Sequence, residues 1–186
     1  MASHERVLDR DASVLVVVDV QEAYRGKTLR HDRMERGVRI LVEAARTLGI
    51  PVLATEQYPK GLGPLVPEIR RALPEGTEPI AKLSLSCCGE PRFVEELRKT
   101  GRKQVVVCGI EAHACVNQTV HDLLARGYAV HVPCDAISSR FEHDLRAGWE
   151  KMLGSGAVPS SVEMACFEWL RRAGTPEFKA IQALVR

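Results

Sequence analysis

The sequence predicts a three-layer α/β fold, a mainly parallel sheet with helices on both faces. Three observations carry this. The apolar stretches SVLVVVD and QVVVCG are continuous β-branched runs rather than alternating ones, the pattern of strands buried on both sides. Helical periodicity follows the strands, and a glycine (Gly49, Gly101, Gly127) stops each helix before the next strand resumes. The strand–helix–strand unit then repeats along the chain, which demands crossovers between parallel strands.

The elements follow in order. SVLVVVD is the first strand and ends in Asp19. Val38, Leu41, Val42, Ala45 and Leu48 recur at helical spacing, and IPVLAT resumes as the second strand. EPIAK supplies a short third strand ending in Lys82. Phe93, Val94 and Leu97 mark a helix before the fourth strand, QVVVCG. Val116, Val120, Leu123 and Leu124 mark the next helix, before the fifth strand, YAVHVP. Beyond residue 140, RFEHDLRAGWEKMLGSG, SSVEMACFEWLRRAG and TPEFKAIQALVR read as helices, with a short strand at GAVPS closing the sheet edge. No linker or low-complexity segment interrupts this grammar, so residues 1–186 read as one domain. A chain of that length buries about 70% of its unfolded surface, enough for a core without staples.

Composition excludes several function classes. Net charge is +2 with both signs interleaved, so no field points toward nucleic acid or a membrane surface. The opening MASHERVLDRDA has no apolar core of a signal peptide, and SVLVVVDV is too short to span a bilayer. Six cysteines with no CxxC pair suggest reduced thiols and a cytoplasmic setting. His113, His121, His131 and His143 show no ligand spacing, so a metal is not expected, and the acid, amine and thiol chemistry below requires no organic cofactor.

In open parallel sheets ligands bind beyond the carboxyl ends of the strands. Those ends deliver Asp19 with Gln21 just beyond it, then Thr55 and Glu56, then Lys82, and finally the turn leading to Cys115. An acid, an amine and a thiol distant in sequence thus meet on one rim. A helix starting near Cys115 would surround the sulfur with unpaired N–H groups, lowering its pKa toward neutrality, with Lys82 assisting. Asp19 could accept the thiol proton, and the helix N–H groups could hold an oxyanion. From position alone Cys115 could equally be a small buried hydrophobe, Asp19 a turn residue and Lys82 a surface lysine. Tyr24, Glu56, Gln57 and Tyr58 follow strand ends and are, with Gln21, candidate pocket residues. Cys87 and His113, beside the third strand and the nucleophile, join them. An ordinary loop or core role stays open for each.

The order of Asp19 after VLVVVDVQ, Lys82, and Cys115 in GIEAHACVNQT resembles the isochorismatase-like cysteine hydrolase superfamily over essentially the whole chain. TEQYPKGLGPLVPEI, KLSLSC, ARGYAVHVPCDAISSR and PEFKAIQ resemble its small isochorismatase domain-containing branch. The resemblance implies a Rossmann-like fold with a six-stranded sheet and a catalytic triad of Asp19, Lys82 and Cys115. It also implies a cis peptide between Ile110 and Glu111, an oxyanion hole of the Glu111 and Cys115 N–H groups, and a homo-oligomer. TEQYPKGLGP contains no histidine, so a nicotinamidase-type metal cluster is not expected. Isochorismatases that cleave an enol ether do not need the cysteine, so Cys115 points to a small amide or related acyl substrate and a thioester intermediate. Two other readings stay open: a scaffold or binding protein that keeps the fold without activity, and a redox-sensing thiol protein.

Overall fold

The structure, a computed structural model, describes His4 and residues 6–186. The signal-peptide reading bears partly on residues 1–3 and 5, which lie outside the described residues. The strands are β1 (Ser13–Val18), β2 (Val52–Gln57), β3 (Ile80–Lys82), β4 (Gln104–Ile110), β5 (Ala129–Pro133), β6 (Ile137–Ser138) and β7 (Val158–Ser160). They form a seven-stranded sheet ordered β3-β2-β1-β4-β5-β7, with β6 pairing β4 off that path. Every named pair is parallel.

The helices are α1 (His31–Leu48), α2 (Pro59–Leu62), α3 (Pro67–Ala72), α4 (Pro91–Lys99), α5 (Cys115–Ala125), α6 (Glu142–Gly154), α7 (Val162–Leu170) and α8 (Pro176–Val185). One core packs α1, α3, α7 and α8 on the sheet through Leu15, Val17, Val38, Leu41, Ile69 and Trp169. The other packs α4, α5 and α6 on the opposite face through Val14, Val16, Phe93, Val116, Leu123 and Met152. Neighbouring positions of β1 therefore serve opposite cores, which is why the strand is apolar throughout. Among the described residues no helix is long and apolar enough to cross a membrane.

The expected six strands all form, and β6 is the addition. β2 also runs further than IPVLAT suggests, through Gln57, because β3 pairs with its last residues, Gln57 against Lys82. Gly109 lets β4 lie close against β1. Its φ is +114°, and a methyl group there would run into the Val18 carbonyl oxygen. Gly148 of α6 likewise admits the loop before Cys115, since a Cβ would come within 2.7 Å of the Ala112 oxygen.

His131 on β5 is 1% exposed, and its Nε2 has no hydrogen-bond partner among the described residues. Burial pushes its pKa down from 6.5 to about 4. The unfolded chain thus binds the proton more tightly, so stability is complete above pH 6.5 and erodes as pH falls toward 4. The expected loss is on the order of 3 kcal/mol, and His131→Leu should flatten it in urea denaturation followed across that pH window.

Candidate active site

The sheet reverses its winding between β1 and β4. From β1 the chain moves outward to β2 and β3, and from β4 it moves the other way to β5 and β7. The crevice at such a switch point is where a parallel sheet opens to ligands. Asp19 follows β1 immediately and Cys115 opens α5 after β4, so both flank that crevice.

Asp19 is 1% exposed and sits in a left-handed turn, φ 52°. Thr55 Oγ1 donates to its Oδ1 at 2.7 Å, and Lys82 Nζ lies 2.7 Å from its Oδ2. The charge of the same carboxylate also acts on the Cys115 thiol. The acid therefore serves both amine and sulfur.

The amine is held from several sides. Lys82 Nζ donates to Gln57 Oε1 at 2.6 Å, to the Leu85 carbonyl at 3.0 Å and to the Ser84 carbonyl at 3.2 Å. Gln57 Nε2 donates in turn to the Leu83 carbonyl at 2.9 Å. The Gln57 N–H donates to Gln21 Oε1 at 2.8 Å, while Gln21 Nε2 donates to the Gln57 and Gly63 carbonyls at 3.0 and 2.6 Å. Gln21 thus has its amide engaged by backbone. It braces β2 against the loop after α2 and leaves no polar atom free for a pocket.

The N–H groups of Glu111 and Cys115 have no acceptor among the described residues, and a cis peptide joins Ile110 to Glu111. The sulfur itself departs from expectation. Its pKa is pushed up to about 12, first by burial and then by the Asp19 charge, with Lys82 pulling the other way. Position at a helix start suggested an acidic thiol; desolvation and the Asp19 charge push the other way. At rest Cys115 is a neutral thiol beside a base.

The other candidates divide. Tyr24, half-buried, has its phenol pKa raised by burial and by the charges of Glu111, Cys115 and Asp19, so it faces the same space. Cys87 is buried behind Asp19, its sulfur 3.6 Å from Thr55 Oγ1. Burial pushes its pKa to about 12. His113 Nδ1 lies 3.0 Å from Ser139 Oγ. Glu56 points elsewhere: its Oε1 accepts the Leu65 N–H at 2.8 Å, since residues alternate along β2 and Thr55 and Gln57 take the site face. Tyr58 is 51% exposed and lines an outer groove of about 450 Å³ with Leu83, Ser84 and Glu90. Asp135, at the end of β5, accepts the first N–H of α7 at 2.8 Å and takes no part. Among the described residues no three His, Cys, Asp or Glu side chains gather to hold a metal ion.

Sequence reasoning named Gln57 as a pocket candidate without its role as the acceptor for Lys82, and it missed Arg140 altogether. Strand alternation would have picked Gln57 over Glu56 had β2 been extended. Arg140 Nε donates to Glu111 Oε1 at 2.9 Å, an approach made by the two-residue β6, which leaves no periodic signal.

Comparison with known proteins identifies the family. The isochorismatase domain model matches residues 13–164. The chain is 40% identical over 179 residues to the secreted isochorismatase effector Isc1 of Phytophthora sojae, covering 94% of this chain and 85% of that one. It is 38% identical over 179 residues to isochorismatase domain-containing protein 2 of Danio rerio, covering 96% and 89%. Among solved structures, the MAR1 ribonuclease from Caenorhabditis elegans superposes with a TM-score of 0.91 at 37% identity, covering 96% of this chain and 92% of the other. The chain belongs to the isochorismatase family, carries its hydrolase fold, and falls in the branch of the small isochorismatase domain-containing proteins.

Proposed function

We propose that this chain is a cysteine-dependent hydrolase of a small amide or related acyl compound. Asp19, Lys82 and Cys115 do the chemistry, and residues 1–186 act as one unit. The observation that carries the reading is the shared carboxylate: Asp19 pairs with the Lys82 ammonium at 2.7 Å, and its charge acts on the Cys115 thiol. A thiol held neutral by burial needs a base within reach, and Asp19 is that base.

The steps follow. As substrate binds, Asp19 takes the Cys115 proton and the sulfur adds to the carbonyl carbon. The oxygen gains the negative charge, and the free N–H groups of Glu111 and Cys115 are the donors available to it. Asp19 then gives its proton to the leaving amine as the C–N bond breaks, leaving a thioester on Cys115. Water adds to the thioester and gives a proton to Asp19, which returns it to the departing sulfur. Lys82 stays charged throughout and fixes the carboxylate. No metal or organic cofactor enters these steps.

An enol ether offers sulfur no acyl carbon, so the placement of Cys115 favours acyl transfer over ether cleavage. Asp19 and Lys82, with side chains 2% and 0% exposed, lie too deep for a phosphodiester flanked by two nucleotides. The nematode neighbour is nevertheless named a ribonuclease, so RNA belongs in the substrate panel. A homo-oligomer is part of the reading, since Leu83 and Leu85, 75% and 47% exposed, border the loop that holds Lys82. Light scattering measures that. Six free cysteines fit the cytoplasm, although the oomycete relative is named a secreted effector.

The test is acid-quenched intact-mass spectrometry across a panel of small amides. The expected result is an acyl adduct on the wild-type chain, mapped to Cys115 and absent from Cys115→Ala. Turnover of an amide that survives Cys115→Ala would refute the covalent route. Reversible peroxide oxidation of Cys115 with no adduct on any amide would favour the redox-sensing alternative, and neither response would favour the scaffold.

A further inference from the structure

Arg140 is the charged group at the crevice that the chemistry above leaves unused. Its position is set by the backbone. β6 pairs with the end of β4, Gly109 against Ile137 and Ile110 against Ser138. The Ala112 N–H donates to the Ser138 carbonyl at 2.8 Å, and His113 Nδ1 meets Ser139 Oγ at 3.0 Å. On its other side the Leu29 N–H donates to the Ser139 carbonyl at 2.8 Å, and Ser138 Oγ donates to the Leu29 carbonyl at 2.5 Å. The segment ending in Arg140 is therefore zipped to the loop that carries the Glu111 N–H.

The guanidinium is restrained but not used up. Its Nε donates to Glu111 Oε1 at 2.9 Å, and its central carbon lies 5.9 Å from the centre of the Phe141 ring. Both Nη groups lack a hydrogen-bond partner among the described residues, and the side chain is 50% exposed. Glu111 and Asp144 are the carboxylates that face it, and Tyr24 lies within electrostatic reach of both Arg140 and Cys115. A planar cation tied by one nitrogen to Glu111, on the loop that leads to Cys115, with both Nη groups open, matches a carboxylate taken through two parallel N–H bonds.

We propose that Arg140 is a specificity-determining residue that binds a carboxylate on the substrate, so that the preferred substrates are small amides bearing an acidic group. This rests on the hydrolase reading but can fail separately from it. Glu111 anchors the fork through Nε, and the two Nη groups receive the substrate's carboxylate while its amide carbonyl reaches Cys115.

The test uses succinamate and its neutral twin succinamide. Calorimetric binding to the Cys115→Ala chain needs no turnover. Succinamate should bind about 10- to 100-fold more tightly than succinamide, as expected for hydrogen bonds between charged groups. In Arg140→Met that advantage should vanish, and in Arg140→Lys, which keeps the charge without the fork, only part of it should remain. Wild-type kinetics should show the same preference mainly in KM. Equal affinity for the two probes, a preference that survives Arg140→Met, or no binding of either probe overturns the proposal. A Cys115 adduct without acid preference overturns Arg140 alone. Acid preference with turnover independent of Cys115 overturns the covalent mechanism and leaves Arg140 standing.

Discussion

Asp19→Asn should lower amide turnover by about 10³-fold, the ordinary worth of a positioned general base, and yet make Cys115 react faster with iodoacetamide. The two effects have one origin. The Asp19 charge is the second cause, after burial, of a Cys115 pKa near 12, and Lys82 opposes it. Asparagine removes the charge that penalises the thiolate and keeps the ammonium that favours it. The equilibrium thiolate fraction rises, and alkylation at pH 8 should quicken by about tenfold for each unit the pKa falls. Catalysis does not gain, because turnover needs a group that takes the proton during attack and returns it to the leaving amine. Cys134 is exposed and would mask the signal, so the measurement belongs in a Cys134→Ser background. The remaining cysteines are buried. If turnover and alkylation fell together, Asp19 would be supplying the resting thiolate itself, and the picture of a neutral thiol awaiting its base would be wrong.

That picture is also where the sequence misleads. Continuous apolar runs locate β1, β2, β4 and β5, and the ends of β1 and β3 deliver Asp19 and Lys82, because a buried parallel strand must be apolar until it reaches the rim. The start of α5 locates Cys115 for the same reason. A sequence does not report how dry a site is. The helix start predicts an acidic sulfur, whereas 6% exposure and the Asp19 charge push its pKa up. Register is a second blind spot. Whether Glu56 or Gln57 faces Lys82 depends on β2 continuing to pair with β3, a contact set by residues 25 positions away in sequence. β6 is a third: two residues have no periodicity, so nothing in CDAISSR announces that Arg140 meets Glu111.

Lys82→Met is expected to cost about 3–5 kcal/mol of stability at neutral pH, the range for stranding one partner of a buried ion pair, together with activity. The Lys82 side chain is 0% exposed and that of Asp19 2%. Without the ammonium, the carboxylate keeps the Thr55 hydroxyl at 2.7 Å as its side-chain donor. Gln57 Oε1 and the Ser84 and Leu85 carbonyls lose their donor at the same time. The double variant Lys82→Met/Asp19→Asn separates these losses. If the stranded charge dominates, urea denaturation should show the double variant recovering most of the deficit, while acyl-adduct formation stays absent. A double variant no more stable than Lys82→Met would put the cost in the orphaned carbonyls, making Lys82 chiefly a clasp on its own loop. A loss below about 1 kcal/mol in the single variant would mean that water reaches Asp19, and the dry site on which the neutral-thiol mechanism depends would not exist. Recovery of stability without recovery of chemistry is the pattern that distinguishes a lysine tuning a catalytic acid from one that merely fills a hole.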